Sequence, residues 1–209
     1  MTSTAARVFL NVPFDAAYKP LFDALVFAVL DCGSLPHCAL EVQDSGQVRI
    51  QKIVELIGRC RYGIHDISRT EPDAKSGLPR FNMPFELGLF LGAKWFGAQS
   101  HRRKNCLILD KERYRFQQFF SDIAGQDIKA HNNHVAQIIK LVRDWLRNTT
   151  PTVEIPSGSI IASRYEQFCR DLPILCQARG YHVEELIFND YTQLVSRWLK
   201  YYGKSQPRQ

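Results

Sequence analysis

The stretch Arg7-Val8-Phe9-Leu10-Asn11-Val12-Pro13-Phe14-Asp15 decides the reading of the chain. Its β-branched and aromatic core predicts a strand that Pro13 ends. Asp15 then offers an N-cap to a helix whose apolar part, Leu21 to Leu30, stops at Gly33. That helix is apolar nearly all round, which requires cover from other parts of the fold.

The same alternation repeats downstream. His37 to Val42 reads as a second strand and Ser45-Gly46 as a turn. Val48, Ile50, Ile53, Val54 and Ile57 keep helical spacing up to Gly58. Cys60 to Ile67 reads as a third strand, and a turn-rich loop from Ser68 to Arg80 follows it. A helix then begins near Met83-Pro84, with proline tolerated in the first turn, and continues to Trp95. Asn105 to Asp110 reads as a fourth strand, Tyr114 to Ser121 as helical, and Asp127 to Ala130 as a short fifth strand. Val135 to Leu146 has the pattern of an amphipathic helix.

Strands alternating with helices imply right-handed βαβ units and a parallel sheet. The fold class is therefore α/β, a doubly wound parallel sheet of the flavodoxin-like order 2-1-3-4-5. It occupies residues 1–148. Thr149-Thr150-Pro151 and Pro156-Ser157-Gly158 mark a linker over 149–158. Ile160 to Ala178 and Val183 to Tyr202 read as two helices of a C-terminal appendage, 159–209, with a frayed tail from Gly203.

Of 209 residues, 27 are basic and 21 acidic, a net charge of +6. The excess falls before Asn148, with His101-Arg102-Arg103-Lys104 its densest run, either an anion-binding feature or a solvated loop. Cys32, Cys38, Cys60, Cys106, Cys169 and Cys176 are scattered without CxxC pairs, which argues against a zinc site by spacing and fits reduced thiols. The apolar stretches are too short for a bilayer, and the N-terminus has no export pattern. A soluble cytoplasmic protein without metal or membrane is the expectation.

In open parallel sheets, ligands bind beyond the carboxyl ends of the strands where strand order reverses. Here that crevice lies between strands one and three, so topology is expected to gather Asp15, Asp66 and Glu86. Glu86 is the sharpest candidate: between Arg80 and Lys94 it is the only charge, among Phe81, Met83, Phe85, Leu87, Leu89, Phe90 and Leu91. An apolar setting raises a carboxyl pKa and suits acid, base or nucleophile work, and first-turn placement would give it the helix dipole. Otherwise Glu86 caps backbone or pairs with Arg69 or Arg80. Asp66 either belongs to the site or caps its own turn, and Asp15 either binds ligand or caps the first helix. Asn11 contacts a ligand or ties the turn at Pro13. Phe14 and Phe81 either flank a flat ring or pack in the core. Pro13, Ser68 and Asn82 complete the candidate binding set, and Gly88 and Gly92 are spaced for close packing of helix on sheet. The lack of a GxGxxG or Walker-type sequence argues against ordinary dinucleotide oxidoreductases and P-loop NTPases.

Three short sequences carry a resemblance. Phe9-Leu10-Asn11-Val12-Pro13-Phe14, Asp66 at the third strand's end, and Glu86-Leu87-Gly88 resemble, in order and spacing, the nucleoside 2-deoxyribosyltransferase and TIR-like group of flavodoxin-like domains over roughly residues 7–148. Cys60 to Ser68 and Asn82 to Gly88 also resemble sequences shared by a group of bacterial proteins. Asn82-Met83-Pro84-Phe85 stands where the transferases have Gly-Thr before the glutamate. The resemblance implies cleavage of an N-glycosidic bond at a ribose. Glu86 would be nucleophile or transition-state stabiliser; Asp66 would hold a ribose hydroxyl or assist the leaving base; Asn11 and Ser68 would position sugar or phosphate. NAD is the first expected substrate and a nucleoside or nucleotide the second, with no separate cofactor and a homo-oligomer among the possible assemblies. A non-catalytic module that senses a nucleotide in bacterial signalling or defence is the alternative. A nucleic-acid binder using Arg102, Arg103, Lys104, Lys111, Arg113 and Arg115 ranks last, because no recognised motif accompanies the charges.

Overall fold

A computed structural model describes residues 5–72, 77–150 and 153–205. Residues 73–76 of the expected loop, Pro151 of the expected linker and the last four residues of the expected tail lie outside the described residues.

Five parallel strands run β1 (Arg7–Asn11), β2 (Leu35–His37), β3 (Tyr62–Asp66), β4 (Asn105–Asp110) and β5 (Lys129–Ala130), in the order β2-β1-β3-β4-β5. The helices are α1 (Lys19–Asp31), α2 (Arg49–Arg59), α3 (Asn82–Phe96), α4 (Val135–Thr149), α5 (Gly158–Gln177) and α6 (Phe188–Ser205). The chain is thus a doubly wound α/β fold of flavodoxin-like order, as its alternating pattern predicts.

Period-2 alternation along the strands fills two layers. Val8, Leu10, Tyr62, Ile64, Leu107 and Leu109 pack toward α1 and α4. Phe9, between Val8 and Leu10, meets Ile53, Leu56, Ile57 and Phe90 of α2 and α3. Ile67, Leu87, Leu91 and Ile108 extend that second face toward β4. Helix α1 is buried on almost every side, from Leu21 to Val29, and Gly33 ends it at φ +74°. Its outer cover is C-terminal: Phe27 stacks against Tyr165 and Phe168 of α5 and Trp198 of α6. The connection from α4 is packed too. Arg143 donates to the carbonyls of Ile155 and Pro156, and Ile155 is buried.

Several boundaries differ from expectation. β2 lies over Leu35–His37 rather than His37–Val42, because the chain turns at once, with Glu41 N donating to Cys38 O. Asp15 caps a turn ahead of α1, accepting from Tyr18 N at 3.1 Å, while the helix itself starts at Lys19 behind Tyr18. Tyr114 to Ser121 forms short helical turns at Arg115–Gln118 and, further on, Ser121–Ile123 rather than one helix. Val183–Glu185 is likewise a separate turn before α6. All six cysteines are free thiols, Cys169 exposed and Cys106 half-buried. Among the described residues, no helix is long and apolar enough to cross a membrane.

Candidate functional site

The carboxyl ends of the strands carry polar side chains: Asn11 on β1, Asp66 on β3 and Asp110 on β4, with His131 just past β5. All four are buried. Strand alternation divides them. Asn11 and His65 share the α3 face, whereas Asp66 follows Tyr62 and Ile64 onto the face of α1 and α4.

On the α3 face, Asn11 Nδ2 donates to Met83 O at 2.8 Å and to His65 Nδ1 at 3.1 Å. This clamp ties the end of β1 to the first turn of α3. His65 packs edge-on against Phe9 and Phe90, and burial lowers its pKa to about 3, so the ring is neutral. Its accepting Nδ1 places the proton on Nε2. Both His65 Nε2 and Asn11 Oδ1 are buried without a hydrogen-bond partner among the described residues.

Glu86 follows Met83 by three residues, on the inward half of α3, and is 5% exposed. Burial raises its pKa from 4.5 to about 7, opposed by the charge of Arg49 on α2. Arg49 Nη2 approaches Glu86 Oε1 only to 3.7 Å, beyond hydrogen-bond range. Two expectations are corrected here. The arginine beside Glu86 is neither Arg69 nor Arg80, since Arg49 approaches it and Arg69 pairs with Asp15 at 3.0 Å. Glu86 also sits in the second turn, because α3 starts at Asn82, so dipole compensation is weak and desolvation dominates.

Asp66 belongs to a different constellation. It has no exposed surface and accepts from Tyr18 Oη at 2.5 Å and Ser68 N at 2.8 Å, with His131 Nε2 at 3.1 Å. Asn133 N donates to His131 Nδ1 at 3.0 Å, so the imidazole proton lies on Nε2, which is near Asp66 but outside hydrogen-bond geometry. Burial would raise the Asp66 pKa, but His131, Ser68 and Tyr18 outweigh it and hold the carboxyl below its ordinary value. Beside it, Arg115 donates to Asp110 Oδ1, to the carbonyls of Ile67 and Ser68 and to Thr70 Oγ1, pinning the loop after β3 to the end of β4. Asp110 stays raised by burial despite that arginine, and its Oδ2 is without a partner.

The expected gathering of three carboxylates is therefore built in part: Asp15 and Asp66 both act on Tyr18, while Glu86 stands apart. Glu86 faces the α2–α3 side, Asp66 is enclosed on the opposite side, and Asp15 is ion-paired. Phe14 and Asp15 line a cavity of about 230 Å³ with Lys19, Phe22, Phe188 and Tyr191, between α1 and α6. Pro13 is buried behind it, Ser68 gives its N–H to Asp66, and Asn82 is exposed at the start of α3. Phe81 is exposed rather than packed in the core. The basic run is also reassigned in part. Lys104 is buried, donating to the carbonyls of Ile57 and Cys60, and Lys111 and Arg115 are engaged with Glu71.

Tyr18, Asp110 and His131 are absent from the sequence-derived candidates, and Arg115 figures there only as a nucleic-acid contact. A signal existed for Asp110, the second aspartate to close a buried strand. Tyr18 and His131 carry no local signal, since their partner is distant in the chain. Among the described residues there is no His/Cys/Asp/Glu group able to hold a metal ion. A scan of family models returns no match to this chain, and neither does a search of curated proteins.

Proposed function

We propose that this chain cleaves the N-glycosidic bond of a nucleotide, with Glu86 as the reacting carboxylate and NAD the preferred substrate class. One observation carries the reading: a buried carboxyl, raised to about 7 and held only loosely by Arg49, on a helix clamped to the end of β1 through Asn11. A carboxylate freed of close partners attacks, or stabilises, the positive charge that develops at the anomeric carbon. The enclosure of Asp66 favours NAD over a neutral nucleoside. Glycosidases use a second carboxyl to protonate the leaving group, but the pyridinium of NAD departs as neutral nicotinamide and needs no proton.

The test is nicotinamide release from NAD, alongside base release from nucleosides. Glu86→Gln should lower kcat on the order of a hundredfold or more. Wild-type activity should rise with pH as Glu86 ionises, through about 7. Activity that survives in Glu86→Gln would remove Glu86 from the chemistry.

A second reading rests on the cavity lined by Phe14, Asp15, Phe188 and Tyr191. A ligand there touches both the β1–α1 loop and α6, which suits a non-catalytic module that senses a nucleotide. NAD binding without turnover, weakened by Tyr191→Ala and untouched by Glu86→Gln, would favour it.

A further inference from the structure

Helix α3 carries an uncovered apolar stripe. On a helical wheel Phe81, Phe85, Gly88, Gly92, Trp95 and Phe96 fall within one arc of roughly 100°. The four aromatic side chains are 66%, 57%, 57% and 88% exposed. At roughly 200 Å² for each full aromatic side chain, they present about 500 Å² of apolar surface, near the upper end for a monomer. That is well over half of the roughly 800 Å² that each partner buries in a stable complex. No charge interrupts the stripe, since Glu86 points inward and Lys94 lies on another side of the helix.

The glycines are a second, independent observation. Gly88 and Gly92 lie within α3, where each costs about 0.5–1 kcal/mol relative to alanine. A Cβ added at either would meet nothing within 4 Å. Nothing among the described residues requires them, and the expectation that they pack helix on sheet is corrected: they face outward. Small residues on an outer helix face let another backbone approach closely.

We infer that a second copy of this chain covers the stripe, through an antiparallel α3–α3 pairing with its two-fold axis at Gly88. The stripe reads almost alike in both directions from that residue. Phe81 lies seven residues before it and Trp95 seven after; Phe85 lies three before and Gly92 four after. In an isologous contact, Phe81 of each copy meets Trp95 of the other and Phe85 enters the trough at Gly92. Large side chains meet gaps, and the absence of charge gives neither nucleic acid nor an acidic peptide anything to hold. The pairing is independent of what Glu86 does.

Sedimentation velocity of the intact chain tests it. Wild type should sediment as a dimer at micromolar concentration. Phe85→Glu, at an exposed position, should raise the dissociation constant on the order of a hundredfold while far-UV circular dichroism is unchanged. Gly88→Cys should form an intermolecular disulfide on mild oxidation. Gly58→Cys, at an equally open helical glycine on α2, and wild type with its exposed Cys169 should not exceed background. A monomeric wild type overturns the inference, as does a dimer indifferent to Phe85→Glu. A monomer that sediments with zwitterionic lipid vesicles would assign the stripe to a lipid surface and equally overturn the pairing.

Discussion

Helices α1 and α3 have much the same composition and opposite fates. Both are apolar nearly all round. α1 is enclosed by the sheet, α4, α5 and α6, so Leu25, Val26, Phe27, Ala28 and Val29 have no exposed surface. α3 buries Met83, Leu87, Phe90 and Leu91 on one side and leaves Phe81, Phe85, Trp95 and Phe96 in solvent on the other. The cover that α1 receives comes from the C-terminal helices of its own chain. No described segment performs that service for α3. An all-apolar helix therefore says that cover exists, not which molecule supplies it.

The widest separation between the two helices is expected from a pair of truncations. Phe27→Ala leaves a hole among Tyr165, Phe168 and Trp198 and should cost about 3–5 kcal/mol in urea unfolding. Phe85→Ala, measured at dilution where copies are apart, should cost within about 0.5 kcal/mol. Equal losses would mean that α3 is covered within the monomer.

The legibility of the two helices in the sequence differed for the same physical reason. Strand order was readable because β1, β2, β3 and β5 each precede a helix of 3.6 period, only β4 being followed by short turns. β2 lies upstream of the run His37 to Val42 and contains Pro36, which is tolerated because β2 is an edge paired on one side only. The orientation of α3 was not readable: without a polar face, nothing in the pattern says which way Gly88 and Gly92 point. Glu86 stood out because a charge in an apolar run is a local signal. The split between Glu86 and Asp66 lies in the alternation of Tyr62, Ile64 and Asp66, since a strand-end position alone does not tell which face a side chain takes. The side chains beside Asp66, Tyr18 and His131, come from elements far apart in sequence.

Glu86 sharpens the comparison next, as the buried carboxyl of α3. Its folded pKa, about 7, lies above the ordinary 4.5, so between these values the folded protein holds a proton that the unfolded chain has lost. Stability must then fall as pH rises through that window and stay reduced above it. Glu86→Gln removes the titration. The variant should match wild type below about pH 4.5 and exceed it by up to about 3 kcal/mol above pH 7 in thermal or urea melts. A variant less stable than wild type at pH 8 would show that the charged form is well paired and that Arg49 does more than its 3.7 Å approach implies.

The smallest effect is the most diagnostic of the stripe. Gly88→Ala on α3 adds a methyl group in open space and removes a helix-interior glycine, so the dilute monomer should gain about 0.5–1 kcal/mol. Gly63→Ala in β3 has the opposite sign, because its Cβ would lie 2.7 Å from His65 Nε2 and 2.9 Å from a Phe90 ring carbon. The two alanines thus separate a glycine held by contacts inside the fold from one that the fold does not require. If Gly88 is kept small for a second copy, the gain at dilution should shrink or reverse as concentration rises, since the methyl group enters the crossing point of the pair. Urea melts of Gly88→Ala and wild type across a concentration series read this directly. A gain constant at every concentration would leave the glycine with no role in assembly and return α3 to a monomer with an exposed side.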